Sequence, residues 1–81
     1  GHGVGYKVHE DPFVPNEGKP GRGEKLVPGM VIAIEPMVTL GSSQITLAKD
    51  GYTYKTKDGS NAAHFEHTVA ITEGDPIILT K

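Results

Sequence analysis

The sequence predicts a mainly antiparallel β-sheet without a helix, and three observations carry that expectation. Eleven Gly and six Pro stand among 81 residues, well above the usual combined share of about 12%. In a helix interior Gly costs about 1 kcal/mol and Pro about 3 kcal/mol relative to Ala. Branched and aromatic residues gather in short runs with a period of two, the spacing that lines one face of a strand. Pro-Gly and Asp-Gly pairs separate those runs, as they do where strands turn.

Residues 1–25 read as loop with short extended pieces, Val4, Tyr6, Val8, Phe13 and Val14 being their larger apolar groups. Glu17 to Gly23 reads as an exposed connection, and Leu26-Val27-Pro28-Gly29 as a turn with Pro and Gly placed as a type II turn prefers. Met30 to Val38 follows as a strand broken at Pro36, with Val31, Ala33 and Glu35 on one face and Ile32 and Ile34 on the other. Ile45 and Leu47, with Tyr52 and Tyr54, flank Asp50-Gly51 as a hairpin. Lys57 to Ser60 turns again. Phe65 to Thr72 reads as a strand with Phe65, His67, Val69 and Ile71 on one face and Glu66, Thr68 and Ala70 on the other. Gly74-Asp75-Pro76 leads into a last strand at Ile77-Ile78-Leu79. The pattern amounts to about five strands in one domain.

Composition narrows the function. Eight Lys and Arg against ten Asp and Glu give a net charge of −2, and no basic stripe offers itself to a phosphate backbone, so nucleic acid is not an expected partner. The longest apolar run, Met30 to Ile34, is far short of the roughly 20 residues that span a bilayer, so no membrane partner is expected. The absence of Cys removes disulfide staples and thiolate zinc sites and makes a cytoplasmic setting the default. A core of this size rarely supplies more than about 3 to 5 kcal/mol. Metal held by His and carboxylates, self-association, or a further part of the chain is left to supply the rest.

Two glutamates stand where a sheet favours apolar side chains. Glu35 closes a hydrophobic strand directly before Pro36, and Glu66 lies between Phe65 and His67. Carboxylates are seldom buried unless paired or bound to metal. In Gly1-His2-Gly3-Val4-Gly5 the alternate glycines let the backbone approach another element closely, with His2 as the one polar side chain of the run. His9 follows in Val8-His9-Glu10-Asp11-Pro12. His2, Glu35 and Glu66 together have the makeup of a nitrogen-and-oxygen metal site suited to Mn, Fe, Co or Zn.

Five motifs, in this order and spacing, resemble the type I methionine aminopeptidases, pita-bread metallopeptidases. They are Gly1-His2-Gly3-Val4-Gly5, Val8-His9-Glu10-Asp11-Pro12, Pro28-Gly29-Met30 with Ile34-Glu35-Pro36-Met37, Asp50-Gly51-Tyr52-Thr53, and Phe65-Glu66-His67-Thr68. The resemblance covers essentially the whole chain and implies the C-terminal half of that catalytic domain, residues 1–81 of an α+β pita-bread fold seen mainly as its curved antiparallel sheet. Proline-specific relatives and the type II enzymes fit less well. Pro36 is followed by Met37 and not Gly, and there is no long insertion between the two His-Glu halves.

The implied activity is metal-dependent hydrolytic removal of methionine from the N-terminus of nascent polypeptides. The resemblance makes His2 and Glu35 ligands of one of two divalent ions (Co, Mn, Fe or Zn), Glu35 also the proton acceptor, and Glu66 the bridge between the ions. It makes His9 the group that hydrogen-bonds substrate at the scissile peptide. Two family aspartates are not found here, since Asp11, Asp50, Asp58 and Asp75 read as turn or loop residues. The chain thus holds three of five expected ligands, and positive charge is left unbalanced. A dependent fragment is implied, inactive by itself, exposing apolar surface where the missing N-terminal half would pack.

Several positions depart from the family pattern. Val8 stands where Phe is common and Tyr52 where Trp is usual, which makes both candidate substrate-pocket residues, although pattern alone reads Tyr52 and Tyr54 as ordinary hairpin residues. Ala33 replaces a common Thr, Tyr6 a common Arg, and His64 a usual Gln. His64 is a candidate partner for Glu66. His67 points away from Glu66 by alternation and reads as structural. The alternative reading of the whole is a non-catalytic pita-bread module that binds peptides or proteins.

Overall fold

A computed structural model describes residues 1–81. It contains nine short strands and no helix. They are β1 (His2–Gly3), β2 (Glu10–Phe13), β3 (Val31–Ile34), β4 (Met37–Thr39), β5 (Ile45–Leu47), β6 (Tyr54–Thr56), β7 (Ala62–His64), β8 (His67–Ala70) and β9 (Ile77–Ile78). All pairings are antiparallel: a five-stranded sheet in the order β2-β1-β3-β8-β9, and two-stranded pairs β4-β7 and β5-β6.

Nine strands replace the expected five: the Met30–Val38 run divides into β3 and β4, and β1, β2 and β7 lie outside the expected runs. The Met30–Val38 run breaks at Glu35-Pro36, as expected, since Pro has no N–H to give a ladder. The Phe65–Thr72 run is shorter than expected: β8 begins at His67, and the residues before Phe65 form β7. These interruptions coincide. Ile34 pairs with His67 and Met37 with His64, so the register is the same on both sides of the gap. Only the Phe65 N–H, donating to the Pro36 carbonyl at 3.0 Å, crosses it.

Residues 1–25, expected as loop with short extended pieces, contain two such pieces, β1 and β2, at His2–Gly3 and Glu10–Phe13. Of these, β1 lies inside the sheet between β2 and β3. A Cβ added at Gly1 would meet the Ala33 carbonyl oxygen at 1.9 Å, and one at Gly3 the Asp11 carbonyl oxygen at 2.0 Å. This is the close backbone approach that the alternate glycines allow, and glycine's low strand propensity gave no sign that the segment lies inside the sheet. Asp11, expected at a turn or loop position, lies in β2.

The hairpin at Asp50-Gly51 exists but not as a two-residue turn. The last ladder pair is Leu47 with Tyr54, and residues 48–53 form the connection. Asp50 organises it, accepting the backbone N–H groups of Tyr52 (3.0 Å) and Thr53 (2.8 Å) and the Thr53 hydroxyl. Its carboxyl is held below the ordinary aspartate value, chiefly by the Thr53 hydroxyl and then by these amides. At the other turn, the Met30 N–H donates to the Val27 carbonyl and Gly29 takes φ +97°, the conformation that a type II turn demands at its third residue.

The core is small. Ile32, Ala33 and Val69 are its buried hydrophobic residues, contributed by the central strands β3 and β8. The accessible surface is 6787 Å², where a compact protein of this mass exposes about 4,700 Å². The radius of gyration of 14.9 Å likewise exceeds the roughly 12 Å of a compact domain of this length. Phe13, Met37, Leu40, Tyr54 and Phe65 are among the large apolar side chains left exposed.

Candidate metal centre

Two ladders bring the polar residues to one place. His2 pairs with Ala33 across β1-β3, and Ala33 pairs with Thr68 across β3-β8. Residues two apart share a face of a strand, so Glu35 lies on the Ala33 side and Glu66 on the Thr68 side. Donor atoms of His2, Glu35 and Glu66 lie within 4.8 Å of one another. Together with Val4, Val8, His9, Ala33 and Thr68 they line a cavity of about 320 Å³. The face assignments read from the sequence for Ala33, Glu35, Glu66 and Thr68 fit this arrangement.

The His2 ring is oriented by its own backbone. Its Nδ1 lies 2.9 Å from the Gly3 carbonyl oxygen, which can only accept, so Nδ1 carries the hydrogen and Nε2 is the donor atom that remains. Nε2 stands 2.9 Å from Glu35 Oε2. Neighbouring ligands on one ion at about 2.0–2.2 Å, set near a right angle, are separated by about 3 Å. This spacing and the mixed nitrogen and oxygen donors suit a divalent cation, and the residues fit the group that the sequence implied.

The other expected site residues divide. The His9 ring lies 4.1 Å from that of His2, centroid to centroid, inclined by 45°, and Val8 lines the same cavity. Tyr52 is not among the lining residues and stands exposed beyond β5. His67 is paired with Ile34, and its Nδ1 lies 3.0 Å from the Thr80 hydroxyl, in keeping with a structural role.

His64, a candidate partner for Glu66, instead reaches Glu35. Its Nε2 lies 3.3 Å from Glu35 Oε1, because β7 carries it alongside the segment that holds Glu35. The signal was present in the sequence: His64 lies two residues before Glu66, so strand alternation puts the two on one side. What sequence alone lacked was the register that sets Glu35 opposite.

Asp58 and Asp50 are turn residues, as expected, and belong to no metal cluster. The Ser42 N–H (2.7 Å) and the Ser60 N–H (3.0 Å) donate to Asp58, and they hold its carboxyl down to about 2. Neither it nor Asp50 supplies a missing ligand.

A histidine and two carboxylates converging on a sheet face define a candidate centre of the kind found in metal-dependent hydrolases. The chain belongs to metallopeptidase family M24, whose model matches residues 1–73. It is 58% identical over 80 residues to methionine aminopeptidase 1 of Mycobacterium tuberculosis, covering 99% of this chain and 30% of that protein. It is 59% identical to the methionine aminopeptidase of Aquifex aeolicus, covering 100% of this chain and 32% of the relative.

Among solved structures, methionine aminopeptidase from Thermotoga maritima superposes with a TM-score of 0.94 at 55% identity, covering 99% of this chain and 32% of that one. The enzyme from Rickettsia prowazekii gives 0.94 at 40% identity, with 99% and 33% covered. The fold is therefore that of the pita-bread metallopeptidases, and the chain spans about a third of the length of the relatives it matches. Divalent metal use follows from the family. No helix is long and apolar enough to cross a membrane.

Proposed function

We propose that these 81 residues are the C-terminal part of the catalytic domain of a methionine aminopeptidase, which hydrolyses the first peptide bond of nascent cytoplasmic polypeptides that begin with methionine. The observation that carries this reading is the convergence of His2, Glu35 and Glu66 within 4.8 Å in a chain so similar to those enzymes. A module that only bound peptides would not need all three.

His2 Nε2 and Glu35 would hold one divalent ion, with Glu66 shared between it and a second. Two further carboxylates would come from the part of the enzyme outside this chain. The ions would supply Lewis-acid polarisation of the scissile carbonyl and a water that gives up its proton near neutral pH. Glu35 would accept the proton of the attacking water, the work of a general base. His9, beside His2, hydrogen-bonds the substrate at the scissile peptide and steadies the charge that develops there. Val8 shapes the neighbouring wall of the cavity. Tyr52 reaches the methionine side chain only if the rest of the domain brings the site toward it.

The excess accessible surface and the exposed apolar side chains support a dependent fragment. The test is to graft these residues in place of the matching segment of the Thermotoga maritima enzyme and to assay a Met-Ala-Ser peptide with added Mn²⁺. The graft is expected to release methionine, and Glu35→Gln to lower kcat by about 10²- to 10⁴-fold. The 81-residue chain alone is expected to be inactive. A folded, Mn²⁺-loaded graft without turnover would refute the assignment, and robust turnover by the chain alone would refute its dependence.

A further inference from the structure

We propose that His64 is a positioning residue for Glu35, holding one carboxylate oxygen so that the other alone faces His2; this rests on the metal reading above. The Glu35 carboxylate lies between two imidazoles that use different oxygens. His2 Nε2 is 2.9 Å from Oε2, and His64 Nε2 is 3.3 Å from Oε1. An ionised carboxylate only accepts hydrogen bonds, so His64 contributes an N–H. A carboxylate with both oxygens free can rotate or chelate. One with Oε1 engaged is held to donation through Oε2, on the side where His2 and Glu66 converge.

The architecture gives His64 this reach. It comes from β7 of the two-stranded β4-β7 sheet, while His2 and Ala33 belong to the five-stranded sheet. His64 pairs with Met37, two residues beyond Glu35, so the gap at Pro36 sets Glu35 where one side chain from each sheet can reach it. An exposed polar pair of this kind is usually worth little in stability, and the His64 side chain is 50% exposed. Its effect is therefore expected on the aim of Glu35 and not on the fold. Hydrogen-bond partners of metal ligands commonly alter affinity by about 10- to 100-fold, and the long 3.3 Å contact places His64 near the lower figure.

The experiment is calorimetric titration with Mn²⁺ of the grafted enzyme, unsubstituted and carrying His64→Ala or His64→Gln, together with thermal unfolding of each metal-free protein. His64→Ala is expected to weaken Mn²⁺ binding about tenfold without moving the metal-free unfolding midpoint. His64→Gln keeps an N–H donor and is expected to recover most of the affinity. Unchanged affinity in His64→Ala, or a Gln variant as weak as Ala, would overturn the positioning role. Failure of the unsubstituted graft to bind Mn²⁺ would overturn the metal reading with it.

Discussion

Glu35 and Glu66 lie opposite one another in a ladder that is interrupted without changing register. Ile34 with His67 on one side and Met37 with His64 on the other fix that opposition. Like charges directly opposed across two strands destabilise a sheet. Without metal the two carboxylates oppose folding; with metal they are its ligands. Glu66→Gln is expected to raise the unfolding midpoint of the metal-free graft slightly while abolishing most of the rise that Mn²⁺ gives. A metal-free variant clearly less stable than the parent would contradict this account.

The glycines of β1 lead to a second expectation. Gly3 is buried and its missing β-carbon would sit 2.0 Å from the Asp11 carbonyl oxygen and 2.7 Å from its carbon. Backbone cannot yield as a flexible side chain can, so Gly3→Ala must part β1 from β2. Overpacking of this kind costs about 1–3 kcal/mol or more, and it moves His2, the neighbouring residue. Gly74, which has nothing within 4 Å and no left-handed φ, is the comparison, and Gly74→Ala is expected to stay within about 0.5 kcal/mol. Urea unfolding separates the two, and Mn²⁺ titration should show the loss of affinity in Gly3→Ala alone.

The contrast between β1 and β3 shows what the sequence could reveal. Val31 to Ile34 announces a strand through its side chains, and Glu35 stands out because it follows such a run. Gly1 to Gly3 has no propensity to announce. It is a strand because neighbouring backbones come within a β-carbon's width, a tertiary fact with no local periodicity. The same holds for His64: alternation puts it on the Glu66 side, but its contact with Glu35 depends on the register between distant segments. His2, Glu35 and Glu66 were legible because polar groups stood out among Gly and apolar residues. The size of the Asp50 loop was not, because Asp-Gly pairs occur in turns of several lengths.

Asp58 sets a pH dependence remote from the metal centre. The Ser42 amide, with Ser60 adding to it, lowers its carboxyl from 3.8 to about 2 in the folded chain. A depressed folded value means that the ionised form favours folding. That contribution is fully present above the unfolded value and is lost as pH falls through the window from about 4 to about 2. Asp58→Asn removes the titration. In thermal unfolding of the graft at a series of pH values, parent and variant are expected to differ most above pH ~4 and to converge toward pH ~2. A gap that persists unchanged at the acid end would show that the carboxylate's ionisation is not what stabilises the turn.

Metal removal tests how far the centre ties the sheet together. His2 is on β1, Glu35 directly follows β3 and Glu66 directly precedes β8, so one ion held by all three would link three neighbouring strands. A ligand that binds only the folded state stabilises by about 2.7 kcal/mol at 100 times its Kd. Adding Mn²⁺ to the metal-free graft is therefore expected to raise its unfolding midpoint, and a chelator to reverse the rise. His2→Ala should remove most of the effect, because it takes away the one ligand that comes from β1. Lys55→Ala, on β6 and remote from the centre, should keep it. Amide hydrogen exchange gives a local check: protection by metal should fall on β1, β3 and β8 and spare the β5-β6 hairpin. Protection spread equally over that hairpin would mean that the ion acts through the stability of the whole fold and not by linking these strands.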